Sequence, residues 1–377
     1  MTKSYKFRIF PSRQQKQILE QTIENCRLLY NQSLQERRKD KALKYYEQKR
    51  GLTQKRSNSS ILKSIHSQVL QNVLWRLERA FQNCHRDRSV GKPNFKRYGR
   101  YNSITYPQYG SFCIKKNKLK LVFVDGLIKI KLHRIPIGRI KTCTIIRDID
   151  RWFACFSCDN NIEKSSSNDA VGVDVGLLNW MTLSNGEIID RPRFLKEAID
   201  RIKGLQRDLS RKKKHSRNWE RARIKLAKAW RKVRLQREDY CHKVTTNLAN
   251  KFGTIVFEKL SISKMLKNHN LAGSILDSTW YRMRQLAAYK AEVVLVDPKN
   301  TTQRCSKCGR LQEKRIDLKR RIYECKCGLV LNRDHNSALE ILRLGLEQTH
   351  IERQPLLDEG TSKRFQGNMK PTSFIGR

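Results

Sequence analysis

The sequence predicts an α/β protein in two parts: an antiparallel β-barrel interrupted by a helical lobe, and then a core of alternating strands and helices. The first strand, Tyr5–Phe10, is followed by amphipathic helical segments, and a strand-rich region with alternating polarity begins only at residue 92. After residue 169, short apolar runs are separated by helical segments, which is typical of a parallel sheet. With 377 residues, the chain is long enough for two or three domains.

The helical lobe occupies the segment between the first strand and the strand-rich region. Ser12 and Gln15 have the spacing of a capping box and predict a helix start. The apolar stripe of this helix consists of Leu19, Ile23, Cys26, Tyr30 and Leu34. After the basic stretch 49–60, a second helix is predicted over 61–84, with a stripe of Leu70, Val73, Leu77, Phe81 and Cys84. At helical spacing, these cysteines and aromatics are core residues rather than ligands.

The strand-rich region alternates over 118–121, 128–132 and 152–157. Joining these strands to Tyr5–Phe10 would make a small antiparallel barrel. Cys155 and Cys158 form a C-x-x-C pair on a predicted strand, where they point to opposite faces, so we exclude them as a metal pair. The polar segment 162–168 is typical of a linker.

The second part begins with Val171–Leu177, an apolar strand that carries one acid, Asp174. A hairpin over 180–189 follows, and then two basic amphipathic helices between 194 and 251, broken near 211–218. Further elements are strands over 254–258 and 291–297, a helix over 277–290 and a helix that begins near Asp334.

The net charge of the chain predicts a polyanionic partner. There are 80 Lys and Arg against 35 Asp and Glu, which gives +45. Nucleic acid is the favoured partner and an anionic membrane is the rival. No 18-residue apolar run and no signal peptide occur, so we expect a cytoplasmic, nucleoid-associated protein that does not enter a membrane. The candidate nucleic-acid contacts are Lys92, Lys96, Arg97, Arg100, Arg211, Lys212, Lys213 and Lys214. A solvated basic surface is the alternative for these residues.

Four cysteines predict one structural zinc ion. Cys305-x-x-Cys308 and Cys325-x-Cys327 are separated by 16 residues, and a glycine follows each pair. Four thiolates give Zn²⁺ a closed tetrahedral shell with no open position for catalysis. The C-x-C pair is one residue shorter than the usual C-x-x-C.

Three acids predict a second metal centre. Asp174 and Glu258 lie in or end apolar strands, and Asp334 could open a helix. An ionised carboxylate among apolar residues is costly unless a cation meets it. Two Mg²⁺ ions, or Mn²⁺ in their place, would let the three acids gather and would clamp a phosphodiester for hydrolysis. A cap or a surface group is the alternative for each acid alone, and Asp297 is a competitor to which we give a turn role.

The chain resembles TnpB, an RNA-guided nuclease family of bacterial and archaeal insertion sequences that looks ancestral to type V CRISPR effectors. The matching motifs are K-S-Y-K-F-R-I-F-P-S-x-x-Q near the start, L-S-R-K-K-K-x-S-x-N-W at 209–219, V-G-V-D-V-G-L, F-E-K-L-S-I at 257–262 and V-D-P-K-N-T-T-Q-R-C-S-K-C-G at 296–309. The resemblance implies a wedge β-barrel (1–10 and 92–162), a recognition lobe (11–91), an RNase H-like (RuvC) nuclease domain (169–298 and 331–348), a zinc ribbon that binds target nucleic acid (299–330) and a disordered tail (349–377).

The resemblance also implies partners and an activity. The family's catalytic acids fall on Asp174, Glu258 and Asp334, and its zinc ligands on the four cysteines. The expected partners are a guide RNA from the transposon end and double-stranded DNA with a short flanking motif, bound by a monomer with its RNA. One departure is Asn332, where the family has an aspartate. A non-cleaving regulator of transposition and a strand-joining transposase are the alternatives.

Overall fold

The computed structural model describes residues 2–87, 89–159, 167–261, 265, 267, 273–275, 278–313 and 320–353. The chain forms two compact units, Met1–Glu163 with Asp200–Lys232, and Lys164–Ile199 with Val233–Arg377. Most of the predicted linker 162–168, and the predicted tail from residue 354 onward, lie outside the described residues. In the part of the chain that is described, no helix is both long and apolar enough to cross a membrane.

The first unit contains a seven-stranded antiparallel sheet in the order β2-β6-β7-β1-β5-β4-β3. Its strands are β1 (Thr2–Phe10), β2 (Ser103–Tyr106), β3 (Phe112–Lys115), β4 (Lys118–Leu121), β5 (Val124–Lys131), β6 (Arg139–Asp148) and β7 (Arg151–Asp159). The sheet curls until Phe112 on edge strand β3 packs against Phe156 on β7, with ring centroids 6.1 Å apart. The predicted barrel is confirmed as a nearly closed sheet, and Cys155 and Cys158 face opposite sides of β7.

The helical lobe begins with α1 (Arg13–Lys39), whose capping box of Ser12 and Gln15 is confirmed. The basic stretch 49–60 is itself mostly helical, because α2 (Tyr45–Ser57) buries Leu52. The predicted helix over 61–84 is divided into α3 (Ser60–Lys63) and α4 (Ser67–Arg86). At the break, the Ser64 hydroxyl donates to the carbonyl oxygen of Ile61 at 2.7 Å, a local bond that competes with helix continuation.

Two long helices, α5 (Phe194–Ser210) and α6 (Arg217–Lys251), confirm the predicted basic pair and its break. Residues 200–232 belong to the first unit. There, Arg231 and Lys228 of α6 lie 2.7 and 2.8 Å from the Asp150 carboxylate at the β6–β7 turn.

The second unit is organised around a five-stranded sheet in the order β10-β9-β8-β11-β12. Its strands are β8 (Ala170–Val175), β9 (Asn179–Leu183), β10 (Ile188–Asp190), β11 (Thr254–Glu258) and β12 (Glu292–Val296). β8, β11 and β12 run parallel, as the strand–helix–strand pattern predicts, and β9 and β10 form the predicted antiparallel hairpin.

Helices cover both faces of this sheet. The end of α6 and helix α7 (Trp280–Ala288) pack on the face that carries Val171, Val173 and Phe257. Helix α8 (Arg333–Arg353) packs on the other face, where Ile341 meets Val256. The helix extends to Arg353, five residues beyond the predicted end of the nuclease domain at residue 348.

Candidate metal centres

The four predicted cysteines come together in one cluster. Their Sγ atoms all lie within 4.8 Å of one another. Cys305 is 3.6 Å from Cys327, and Cys308 is 3.6 Å from Cys325. A tetrahedral ion with bonds of about 2.3 Å places its sulfurs about 3.8 Å apart, so the cluster has the size and the donors of a zinc site.

Each cysteine pair lies on a tight turn closed by glycine. The N–H of Gly309 donates to the carbonyl oxygen of Cys305, and that of Gly328 to the carbonyl oxygen of Cys325, both at 2.9 Å. Gly309 and Gly328 have φ of +72° and +84°, which favours glycine. The turns that these hydrogen bonds close span five and four residues, so the shorter C-x-C pair still supplies two converging sulfurs.

The sheet register places Asp174 and Glu258 side by side. Val173 pairs with Phe257 across the parallel strands β8 and β11, and each acid follows directly. Because side chains alternate along a strand, both acids lie on the face opposite Val173 and Phe257, which is the face that α8 covers. Glu258 is buried and Asp174 is partly buried.

Helix α8 supplies the third acid from above the sheet. Asp334 lies in its first turn, and the cap is Asn332, whose Oδ1 accepts from the N–H of Asp334 at 2.9 Å and from that of His335 at 3.4 Å. Aspartate and asparagine cap helices about equally well, so Asn332 preserves the geometry despite departing from the family pattern. Arg333 Nη2 lies 3.3 Å from Asp334 Oδ1.

Asp174 is affected electrostatically by the two other acids. Burial is the main cause that raises the pKa of Asp174 well above its usual range, the carboxylates of Glu258 and Asp334 raise it further, and Arg333 opposes them. Burial also raises the pKa of Glu258, which the hydrogen bond donated by Thr301 partly offsets. A buried group of like charges favours an added cation.

The three acids do not form a tight ligand cluster of the kind that the cysteines form. Among the residues that the structure describes, the four cysteines are the one group whose ligand atoms all lie within 4.8 Å of one another. Ligands on opposite sides of two ions about 4 Å apart can be separated by about 8 Å. Oxygen donors on one face, with burial that disfavours their bare charge, fit a pair of hard divalent cations.

Two buried residues that support these centres were missed from the sequence. The Thr301 hydroxyl donates to Oε1 of Glu258, and Thr301 is 2 % exposed. Asn336, fully buried on α8, accepts from the N–H of Ser306 at 3.0 Å and donates to the carbonyl oxygen of Arg304 at 2.8 Å. Asn336 therefore ties the first cysteine turn to the helix that carries Asp334.

The competing acid Asp297 has the turn role that we predicted. Its Oδ1 accepts from the N–H of Lys299 at 3.0 Å after Pro298 ends the strand. His335 lies 3.1 Å from the carbonyl oxygen of Ser184 through its Nε2.

Most of the predicted nucleic-acid contacts are exposed cations of the first unit. Lys92, Arg97, Arg100, Arg211, Lys213 and Lys214 are exposed, and Lys96 and Lys212 are partly buried. Lys212 pairs with Asp208 at 2.8 Å.

Three family models match the chain: a probable transposase over residues 153–269, a Cas12f1-like TNB domain over 280–341 and a helix-turn-helix domain over 1–49. A putative RNA-guided DNA endonuclease of Streptomyces pristinaespiralis is 31% identical, over 91% of this chain and 89% of the relative. The putative RNA-guided DNA endonuclease InsQ of Escherichia coli K12 is 29% identical, over 91% and 92%.

A solved Cas12f1–sgRNA–target DNA complex shares the fold. It has a TM-score of 0.52 at 15% identity, covering 90% of this chain and 98% of Cas12f1. The long alignment with the Streptomyces relative agrees with the transposase model and with the motifs shared with insertion-sequence nucleases. The chain therefore belongs to the TnpB family.

Proposed function

We propose that this protein is an RNA-guided DNA endonuclease of an insertion sequence. Two relatives that match nine-tenths of the chain carry the name "Putative RNA-guided DNA endonuclease". The observation that carries the proposal for this chain is the convergence of Asp174, Glu258 and Asp334 from two parallel strands and one helix onto one face of a sheet.

The chemistry of the proposed site follows from its donors. Asp174, Glu258 and Asp334 would hold two Mg²⁺ ions, or Mn²⁺, which when bound supply activation of water and neutralisation of charge on a phosphodiester. The residues of the chain fix the geometry: the sheet register aligns the two strand acids, α8 sets Asp334, and Thr301 orients Glu258. Arg333, beside Asp334, would offset the charge of a bound phosphate.

The other parts of the chain would support cleavage at this site. The five-stranded sheet with α8 is the RNase H-like (RuvC) domain, the cysteine cluster is a zinc ribbon with one structural zinc, and the barrel with its helical lobe holds nucleic acid. The net charge of +45 suits a guide RNA and a double-stranded DNA target with a flanking motif. Base pairing would select the sequence, and the protein would read backbone and shape.

The test compares two acid variants loaded with the RNA that copurifies with the protein. We expect Asp174→Ala to abolish cleavage of DNA matching that RNA while RNA and DNA binding persist. Asp297→Ala is the matched control, since its carboxylate only caps a turn, and it should still cleave. Cleavage by Asp174→Ala, or the absence of any defined RNA, would contradict the proposal.

The description of one matching model as a probable transposase favours strand transfer as a second candidate. Joined rather than cleaved DNA products in the same assay would support it.

A further inference from the structure

A short irregular segment of the first unit is fixed to helix α1 by its backbone. Asn31 donates to the carbonyl oxygen of Lys96 at 3.0 Å and accepts from its N–H at 2.8 Å. Arg27 donates to the same carbonyl oxygen at 2.8 Å, and Arg38 donates to that of Pro93 at 2.9 Å. These bonds to backbone atoms hold residues 93–96 in one conformation.

The fixed segment leads into a tight turn that displays Tyr98. The N–H of Arg100 donates to the carbonyl oxygen of Arg97 at 3.0 Å, and Gly99 has φ of +74°, so Tyr98 stands at the corner. Its side chain is 80 % exposed. Phe95, in the same segment, is 47 % exposed, and the Arg38 guanidinium lies 4.5 Å from the centre of its ring. The segment therefore exposes two aromatic rings, one of them in contact with an arginine.

The charge around Tyr98 is positive. Residues 89–104 contain four cations and no acid: Lys92, Lys96, Arg97 and Arg100. The acids that approach from α1 and α6 are already paired, because Glu24 bonds Arg27 and Glu220 bonds Arg223. In each pair, the hydrogen bond to the glutamate is the main cause that raises the pKa of the arginine, and the nearby Tyr98 hydroxyl adds to it.

We propose that Tyr98 is a stacking platform for an unpaired base of a single-stranded polynucleotide. Every base has a face that can stack on an aromatic ring, and the cations of 92–100 would meet the flanking phosphates. The Phe95–Arg38 pair would hold a neighbouring base. This inference rests on the proposed function, because it names the surface through which the first unit would hold a guide RNA strand or an opened DNA strand.

The first test is photocrosslinking. A 12-nucleotide oligouridine RNA with one 5-iodouridine, and the corresponding DNA with 5-iododeoxyuridine, are irradiated with the full-length protein, and crosslinked peptides are sequenced by mass spectrometry. We expect a crosslink at Tyr98. Reaction with the RNA alone would assign the platform to the guide, and reaction with the DNA alone to the target. Crosslinks confined to other residues would overturn the inference.

The second test measures affinity with variants. Stacking of one base predicts that Tyr98→Ala weakens binding of the oligonucleotide about 5- to 100-fold, whereas Tyr98→Phe binds like the parent protein. Tyr46→Ala is the matched control, because Tyr46 is 71 % exposed but packs edge-on against Tyr45. Since Tyr98 is exposed, its loss should leave the melting temperature unchanged.

The two proposals fail differently. Suppose that the parent protein performs RNA-guided cleavage and that Tyr98→Ala binds both oligonucleotides as tightly as the parent does. The stacking role of Tyr98 is then rejected, and the proposed endonuclease activity is kept. If Tyr98 crosslinks but the parent protein, with all three acids present, shows no guided cleavage, the stacking role of Tyr98 is kept and the proposed endonuclease activity is rejected.

Discussion

A Cβ placed on Gly172 of β8 would lie 2.1 Å from the carbonyl oxygen of Ala338 on α8, so strand and helix touch backbone to backbone. Asp174 lies two residues farther along the strand, on the same face as Gly172. Asp334 lies four residues before Ala338, on the same face of the helix. This contact therefore sets the separation of the two acids.

Gly172→Ala should force α8 away from the sheet, because the clash is with backbone that cannot rotate aside. We expect the free energy of unfolding to fall by about 1–3 kcal/mol or more, and cleavage to be lost. Denaturant unfolding and the cleavage assay check this. Gly204→Ala on α5 is the control. Apart from its two chain neighbours and the backbone of its own helix, no described atom lies within 4 Å of the point that the new methyl group would occupy. Alanine also favours a helix, so stability should be kept or raised. Equal stability of the two variants would contradict the packing argument.

Thr301→Val should weaken the response to divalent cations. Valine has nearly the shape of threonine but cannot donate to Glu258 Oε1, so the carboxylate loses the partner that orients it. Loss of such a supporting hydrogen bond typically costs 10- to 100-fold in metal affinity or activity. The measurement is the cleavage rate against Mg²⁺ concentration, with Thr301→Ser as the variant that keeps the hydroxyl. A Thr301→Val curve that overlays the parent curve would exclude the positioning role.

The sequence alone was sufficient to predict features that have a local sequence signature. Alternation located β4 at 118–121, an acid-ended apolar run located β11 at 254–258, and the C-x-x-C and C-x-C pairs located the cysteine cluster. Each of these patterns repeats over a few residues or has a fixed spacing, so it is visible without the fold.

Partners that meet only in the folded chain could not be predicted in this way. Thr301 and Glu258 are 43 residues apart, and Asn336 and Ser306 are 30 apart, with no periodicity that links them. The break between α3 and α4 was missed for a different reason: one serine hydroxyl competes locally with the helix while the apolar stripe continues on both sides.

Asn336→Ala should loosen the first cysteine turn. The variant leaves the N–H of Ser306 and the carbonyl oxygen of Arg304 without the amide that satisfies both, which costs about 1–3 kcal/mol at a buried site. We expect faster release of bound zinc to a chromophoric chelator and a lower melting temperature. Asn336→Asp keeps the acceptor for Ser306 and should be intermediate. Asn185→Ala, which removes an exposed loop amide of the same unit, should behave as the parent; release rates that match across all variants would refute the link.

Lys290 should make the free energy of unfolding of the second unit increase as the pH rises above about 8. Burial lowers the pKa of Lys290 to about 8, from a usual value of 10.5, although its Nζ donates to Thr245 at 2.7 Å and to Thr246 at 2.8 Å. Below pH 8 both the folded and the unfolded states carry the proton, and the folded state bears the cost of a partly buried charge. Between pH 8 and 10.5 the unfolded state binds more protons, so the free energy of unfolding increases with pH.

The measurement compares the free energy of unfolding of the parent protein and Lys290→Met from pH 7.5 to pH 10.5. The net charge of the whole protein also changes in this pH range, and this affects stability in both proteins. The informative quantity is therefore the difference between the parent and Lys290→Met curves. Because Lys290 is only partly buried, we expect the parent to gain about 1 kcal/mol more than the variant across the window. Lys243→Met, which removes an exposed lysine paired with Asp239, should keep the parent slope. If Lys290→Met rises as steeply as the parent, the ammonium group of Lys290 is not destabilised by burial.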